Sequence, residues 1–273
     1  MNKKVIFVFG LVVIFGLLPV SGYGSYISMV MQTTVTASPE KVEVTIEVQN
    51  NGDEPAVKVY PELQLGSAEV TLAPLNTMAV NDSNQWTHTF LPGEAGLKLN
   101  GTYPLLITLI YHDLNMYAMS TPEVVLFELV KGGKELSFTG RIETTDVRDT
   151  GQVNLTLDNS TDQAVAGQFR MLLPKELTTA NKSGNFELQA NQTSQLRFPI
   201  TNMGALVGSS YKIFTIMEFD ASGSHYCVLA SGMIKVKKPV DKESGRFLII
   251  GGGSFIFLIF LLMVFFELRR REN

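Results

Sequence analysis

Few side chains in this 273-residue chain are equipped for chemistry: three histidines, His88, His112 and His225, and one cysteine, Cys227. His112 and Asp113 are adjacent, while His225 and Cys227 lie two apart, which puts both on one face of a strand. Imidazole, thiolate and carboxylate are ligands for zinc or copper, so His112, Asp113, His225 and Cys227 are the candidate metal ligands. Two ligands on one strand face bind an ion only where others converge, and the sequence shows no convergence. Met116 and Met119 add thioethers near His112, but three residues apart on a hairpin they point to opposite faces, and packing is the preferred reading. His88 shares a face with Trp86 and Phe90 and reads as a partly buried strand histidine. Asp113 and Asp220 follow strands at matching places, where a carboxylate accepts backbone N–H bonds of the next turn.

Several classes of chemistry are excluded. One cysteine allows no intrachain disulfide, no zinc site built on several thiolates and no cysteine-ligated iron–sulfur cluster within this sequence. No G-x-S-x-G, S-x-x-K, H-E-x-x-H, Walker A or dinucleotide G-x-G-x-x-G motif occurs. An enzyme is not expected, and no cofactor is implied. A net charge of −4 argues against a nucleic-acid-binding surface.

The elements that must carry these residues are strands, because alternation is the repeating pattern. Val42, Val44, Ile46 and Val48 alternate with Glu43, Thr45, Glu47 and Gln49, and the run ends in the turn Asn50-Asn51-Gly52-Asp53. Val57, Val59, Leu63 and Leu65 form the next strand, where Pro61 predicts an edge or a bulge. Tyr103, Leu105, Ile107, Leu109 and Tyr111 share one face, with Leu106 and Ile110 apolar on the other, so this strand is central.

The pattern then repeats. Val44–Asn51 matches Val153–Ser160 at an offset of 109, and Gln85–Pro92 falls on Gln192–Pro199 at 107. That period is the size of one immunoglobulin-like sandwich. The fold expected is all-β: two tandem Ig-like β-sandwich domains, 25–131 and 132–238, plus a single C-terminal transmembrane helix. The boundary falls at Lys131-Gly132-Gly133-Lys134.

The two ends predict where these domains are held. Residues 1–24 read as a signal peptide: Lys3 and Lys4, an uncharged run Val5–Leu18, Pro19, then small residues at Ser21, Gly22 and Gly24. Cleavage after Gly22 or after Gly24 fits equally, and an uncleaved anchor is the alternative. Residues 247–266 are 20 residues without a charge, about 30 Å as a helix, the thickness of a bilayer core. Residues 239–246 form a juxtamembrane spacer and 267–273 a tail. The five Lys/Arg of Lys235–Arg246 outnumber the three in the tail, against the positive-inside tendency. The export signal takes precedence, which puts the domains outside the cytoplasmic membrane and the tail inside.

The stretches VEVTIEVQNNGDEPAVKV and NGTYPLLITLIYHD resemble CARDB-type bacterial and archaeal Ig-like surface modules, in which a V-x-N-x-G turn and a G-x-Y strand ending in Y-x-D recur. In the second copy Ser160 and Thr161 stand where the first has its Asn-Gly turn, and Glu218 replaces the tyrosine. The layout of signal, two domains, membrane helix and basic tail is also similar to WxL-interacting surface proteins. The resemblance implies adhesion, scaffolding or assembly at a cell surface and no catalysis.

Charge divides the two copies. Residues 25–130 hold 12 Asp/Glu against 3 Lys, and residues 132–234 hold 10 against 8 Lys/Arg. The first domain is the acidic one, fit for a basic partner, divalent cations or plain solvation. Six sequons, at Asn81, Asn100, Asn154, Asn159, Asn181 and Asn191, are glycan acceptors where the host glycosylates. The basic residues of 235–246 suit anionic headgroups or a solubilising flank. The expected role is a membrane-anchored extracytoplasmic binding or scaffold protein with a protein or surface-polymer partner. A membrane-tethered, chaperone-like assembly factor binding clients along an edge strand is the first alternative. A metal-dependent enzyme or metal carrier using the four candidate ligands is the second.

Overall fold

A computed structural model describes residues 26–97, 100–130 and 137–238. The leader assigned to 1–24, the spacer 239–246, the apolar run 247–266 and the tail 267–273 lie outside the described residues. Among the described residues every regular element is a strand, and no helix is long and apolar enough to cross a membrane.

Contacts divide the chain into two compact units, Met1–Gly133 with Gly223–His225, and Lys134–Ser222 with Tyr226–Asn273. The first contains β1 (Met29–Ala37), β2 (Val42–Asn50), β3 (Ala56–Leu65), β4 (Ala68–Thr71), β5 (Leu75–Met78), β6 (Ser83–Phe90), β7 (Thr102–His112) and β8 (Ala118–Glu128). They form two antiparallel sheets, β1-β2-β6 and β4-β3-β7-β8, with β5 also paired to β3.

The alternation of β2 is why it forms here. Val42, Val44, Ile46 and Val48 are buried while Glu43 and Glu47 stay in solvent. Register against β6 sets Val42 opposite Phe90, Val44 opposite His88 and Ile46 opposite Trp86. These side chains meet Val59, Leu63 and Leu65 of β3 and Leu105, Ile107 and Leu109 of β7 in one core, which makes the unit a sandwich. Burying each of the large aliphatic side chains is worth roughly 1.5–3 kcal/mol. As its two apolar faces require, β7 is interior: Leu106 and Ile110 are buried on the face opposite that core. Strand β3 is interior too, so Pro61 does not mark an edge. The irregularity is a bulge between Val57 and Tyr60, with Lys58 at φ 51°.

The second unit contains β9 (Phe138–Thr144), β10 (Thr150–Asn159), β11 (Val165–Leu172), β12 (Leu177–Thr178), β13 (Ser183–Leu188), β14 (Gln192–Asn202), β15 (Ser210–Ala221) and, from Tyr226 onward, β16 (Ser224–Lys235), whose first two residues fall in the first unit. Its sheets are β12-β14-β10-β9 and β13-β11-β15-β16. Val153, Leu155 and Leu157 of β10 face Ile213, Met217 and Phe219 of β15 across a core rich in phenylalanine. Phe138 packs on Phe219 at 5.0 Å and on Phe186 at 5.5 Å between ring centroids, and Phe169 on Phe198 at 5.3 Å.

Candidate functional site

The loop between β7 and β8 displays large apolar side chains that the core of the first unit does not take in. It starts at Asp113, whose carboxylate oxygen accepts the Tyr117 backbone N–H at 2.7 Å. The Met116 N–H reaches the Asp113 carbonyl at 3.0 Å. Asp113 is therefore the turn carboxylate that its position after a strand predicts. These bonds hold Leu114, Met116 and Tyr117 outward, 60%, 47% and 38% exposed. Met116 takes φ 64°, a left-handed conformation that costs a residue with a side chain about 1 kcal/mol. An ordered loop that keeps three large apolar side chains in water, at a backbone cost, has the form of a recognition tip. The β5–β6 turn shares this end of the unit, since Ala56 pairs with Met78 and Val57 with His112. It adds exposed Val80, and Asp53, Asp82 and Asp113 supply an acidic surround.

The candidate metal ligands do not gather. Among the described residues no group of three His, Cys, Asp or Glu side chains is placed to hold one ion. His112 ends β7 half-buried, its Nδ1 enclosed without a hydrogen-bond partner. His225 belongs to the first unit: its backbone N–H donates to the Asn100 carbonyl at 3.2 Å and its ring stacks on Tyr103, centroids 4.7 Å apart. Cys227 is buried in the second unit, where desolvation, with the Glu218 carboxylate adding to it, pushes the thiol well above its ordinary pKa. It is a packed thiol and a poor nucleophile. Met116 is exposed while Met119 packs against the core, so the two thioethers do diverge. His88 meets the Phe90 ring edge-on at 4.5 Å.

The sequons differ in availability. Asn81, Asn100, Asn181 and Asn191 are exposed, and Asn81 and Asn191 sit in left-handed turn positions. Asn154 is half-buried in mid-β10, accepting a bond from the Gln152 amide. Asn159 is fully buried, and its Nδ2 donates to the carbonyls of Gln163, Leu188 and Gln189. An amide so enclosed is not an acceptor in the folded chain.

Edge strands offer a different kind of site. Beside β13 a shallow depression is lined by Ala166, Gly167, Gln168, Asn185, Phe186 and Glu187. The β1 edge is partly occupied, because Thr33 donates to the Glu123 carboxylate of β8 at 2.8 Å.

The sequence placed Asp113 as a turn carboxylate but did not single out Leu114 and Tyr117 as exposed residues of the same turn. Three large apolar residues in a loop that follows a turn-capping carboxylate are the signal that identifies them.

No family model matches the chain, and no curated protein matches it. Among solved structures it is similar to the transglutaminase of red sea bream, at a TM-score of 0.28 and 9% identity over 78% of this chain and 31% of that one. It is similar to native alpha-2-macroglobulin of E. coli at 0.33 and 10%, over 78% of this chain and 17% of that one. The YadV chaperone matches at 0.33 and 12%, over 76% and 99%. The chain spans less than a third of the first two proteins. Likeness at this level carries no argument about activity or partners.

Proposed function

We propose that this chain is a non-catalytic binding or scaffold protein of CARDB-type, Ig-like build, held at the outer face of the cytoplasmic membrane by residues 247–266. The observation that carries the binding role is the Asp113–Tyr117 loop, with Leu114, Met116 and Tyr117 held outward by Asp113. Large exposed apolar side chains on an ordered frame are the usual core of a protein interface, and the acidic residues around them select a partner with a basic rim. The anchor rests on the uncharged length of 247–266, and export rests on residues 1–24.

The test is site-specific photocrosslinking in the full-length chain in its native membrane, with the probe at Met116 and, as control, at Glu43 on the solvent face of β2. A discrete adduct from position 116 that is absent from 43 supports the reading, and equal patterns overturn it. Carbonate extraction of the same membranes checks the anchor, which leaves the protein in the pellet.

A further inference from the structure

The second unit carries its own outward apolar tip, in the loop between β14 and β15. Met203, Leu206 and Val207 are 66%, 49% and 50% exposed. The loop is tightly held. The Asn202 side-chain oxygen accepts the N–H groups of Gly204 at 2.9 Å and Ala205 at 2.6 Å, and its Nδ2 donates to the Ala205 carbonyl at 3.2 Å. The Leu206 N–H donates to the Tyr211 hydroxyl at 3.0 Å, and the Met203 N–H to the Glu176 carbonyl at 2.8 Å. Ala205 alone turns inward, into the core.

This loop lies at the end where the described chain leaves the unit. Gly208 donates to the Val236 carbonyl at 2.8 Å, and Val236 donates back to Ser209 at 3.0 Å. The eight residues 239–246 span at most about 28 Å before the apolar run begins. Charge agrees with the direction. The exit end carries Arg148, Lys235, Lys237 and Lys238 with Asp146 and Asp149. The opposite end carries Asp158, Asp162 and Asp220, with no Lys or Arg among the described residues there. Register puts Thr150 opposite Thr201 and Asn159 opposite Gln192, so nine steps along β10 separate the two ends by about 30 Å.

We infer that Met203, Leu206 and Val207 insert into the headgroup–acyl boundary of the bilayer, with the exit-end lysines on anionic headgroups, so that the second unit is seated on the membrane as well as tethered to it. This rests on the reading of 247–266 as the anchor. Apolar side chains at a rigid tip enter the interface with little further ordering cost, and cations beside them gain from the negative surface potential.

The experiment uses the full-length chain in vesicles of phosphatidylcholine with one-quarter phosphatidylglycerol. Environment-sensitive fluorophores are attached at Leu206→Cys, Asn191→Cys or Ile256→Cys in a Cys227→Ala background whose fold is checked by thermal melting. Nitroxide lipids then report depth. The expected result is about threefold stronger quenching by shallow nitroxide at 206 than at 191, with 256 quenched by deep nitroxide. A water-like signal at 206 with deep quenching at 256 overturns the seating and leaves the anchor standing. No quenching at 256 with quenching at 206 retains the seating and removes the anchor. Water-like signals at both positions overturn both.

Discussion

Among the described residues each unit is built on eight strands, and the two sets pair in the same order except at the fourth. In the first unit β4 returns to β3 through Gly66-Ser67, with Leu65 opposite Ala68 and Gly66 at φ 54°. A two-residue hairpin with a positive-φ glycine sends the chain back along its own sheet. In the second unit Pro174 follows β11 where a tight turn would need free dihedrals, and the two-residue β12 crosses to pair with β14. A second divergence lies at the last hairpin. Ser222 and Gly223, at φ 50° and 78°, close β15 onto β16 with the shortest loop available, whereas β7 and β8 are joined by five residues that display the apolar tip. One architecture thus displays apolar side chains at different ends in the two units, and the loops decide which.

Where the units agree, they agree on one buried amide. Asn50 ends β2 with Nδ2 on the carbonyls of Glu54 and Met78 and Oδ1 accepting the Gly52 N–H at 3.0 Å. Asn159 ends β10 and does the same for Thr161 at 3.2 Å, and the Thr161 hydroxyl also donates to Asn159 at 2.7 Å. Threonine thus stands in the glycine's place and adds a side-chain bond, whereas at Gly52 an added Cβ would run into the backbone of Tyr26 and Ser28. The agreement can be broken by removing each amide. Asn159→Ala strands three carbonyls and is expected to cost about 3 kcal/mol, against about 2 kcal/mol for Asn50→Ala. Denaturant titration of the two variants checks the order, and equal losses would show that the third bond adds nothing.

The fourth-strand difference is sharpened at Gly66, where an added Cβ would run into the Ala95 carbonyl oxygen. Gly66→Ala is expected to lower stability by about 2 kcal/mol, and Pro174→Ala by less than about 1 kcal/mol. The same titration distinguishes them.

A smaller effect separates the titratable groups. Cys227 has a folded pKa raised by burial, so its contribution is fully present below the ordinary thiol range near 9.0 and is lost as pH rises above it. Thiol labelling should be slow in the folded chain at pH 8 and complete on unfolding. Fast labelling of the folded chain would place the thiol in contact with solvent. The smallest expected effect is at Asp146, whose carboxyl the Lys237 hydrogen bond holds below the ordinary range. A depressed carboxylate stabilises above its unfolded pKa near 4 and loses that as pH falls, so the protection of the Lys237 amide, relative to its intrinsic exchange at each pH, should fall only under acid conditions.

The sequence by itself determined the strands and the faces they bury. Alternation in β2 and the two-sided apolar run of β7 are local patterns with a fixed period, so they are legible without knowing what packs on them. It also marked the turn Asn50-Asn51-Gly52-Asp53, while it read Asn159 only as a glycan acceptor. Tertiary structure alone decided which of the chemistry-bearing side chains meet. His112 ends a strand, His225 stacks on Tyr103 and Cys227 is enclosed, because convergence depends on sheet order and not on spacing along the chain. It alone decided that the Asn159 sequon is spent inside a turn, since burial is set by neighbours 29 and 30 residues away. It also decided that Leu114, Met116, Tyr117, Met203, Leu206 and Val207 face water. An apolar residue in a loop is buried or displayed according to what the rest of the fold places beside it, and that is a property no local pattern encodes.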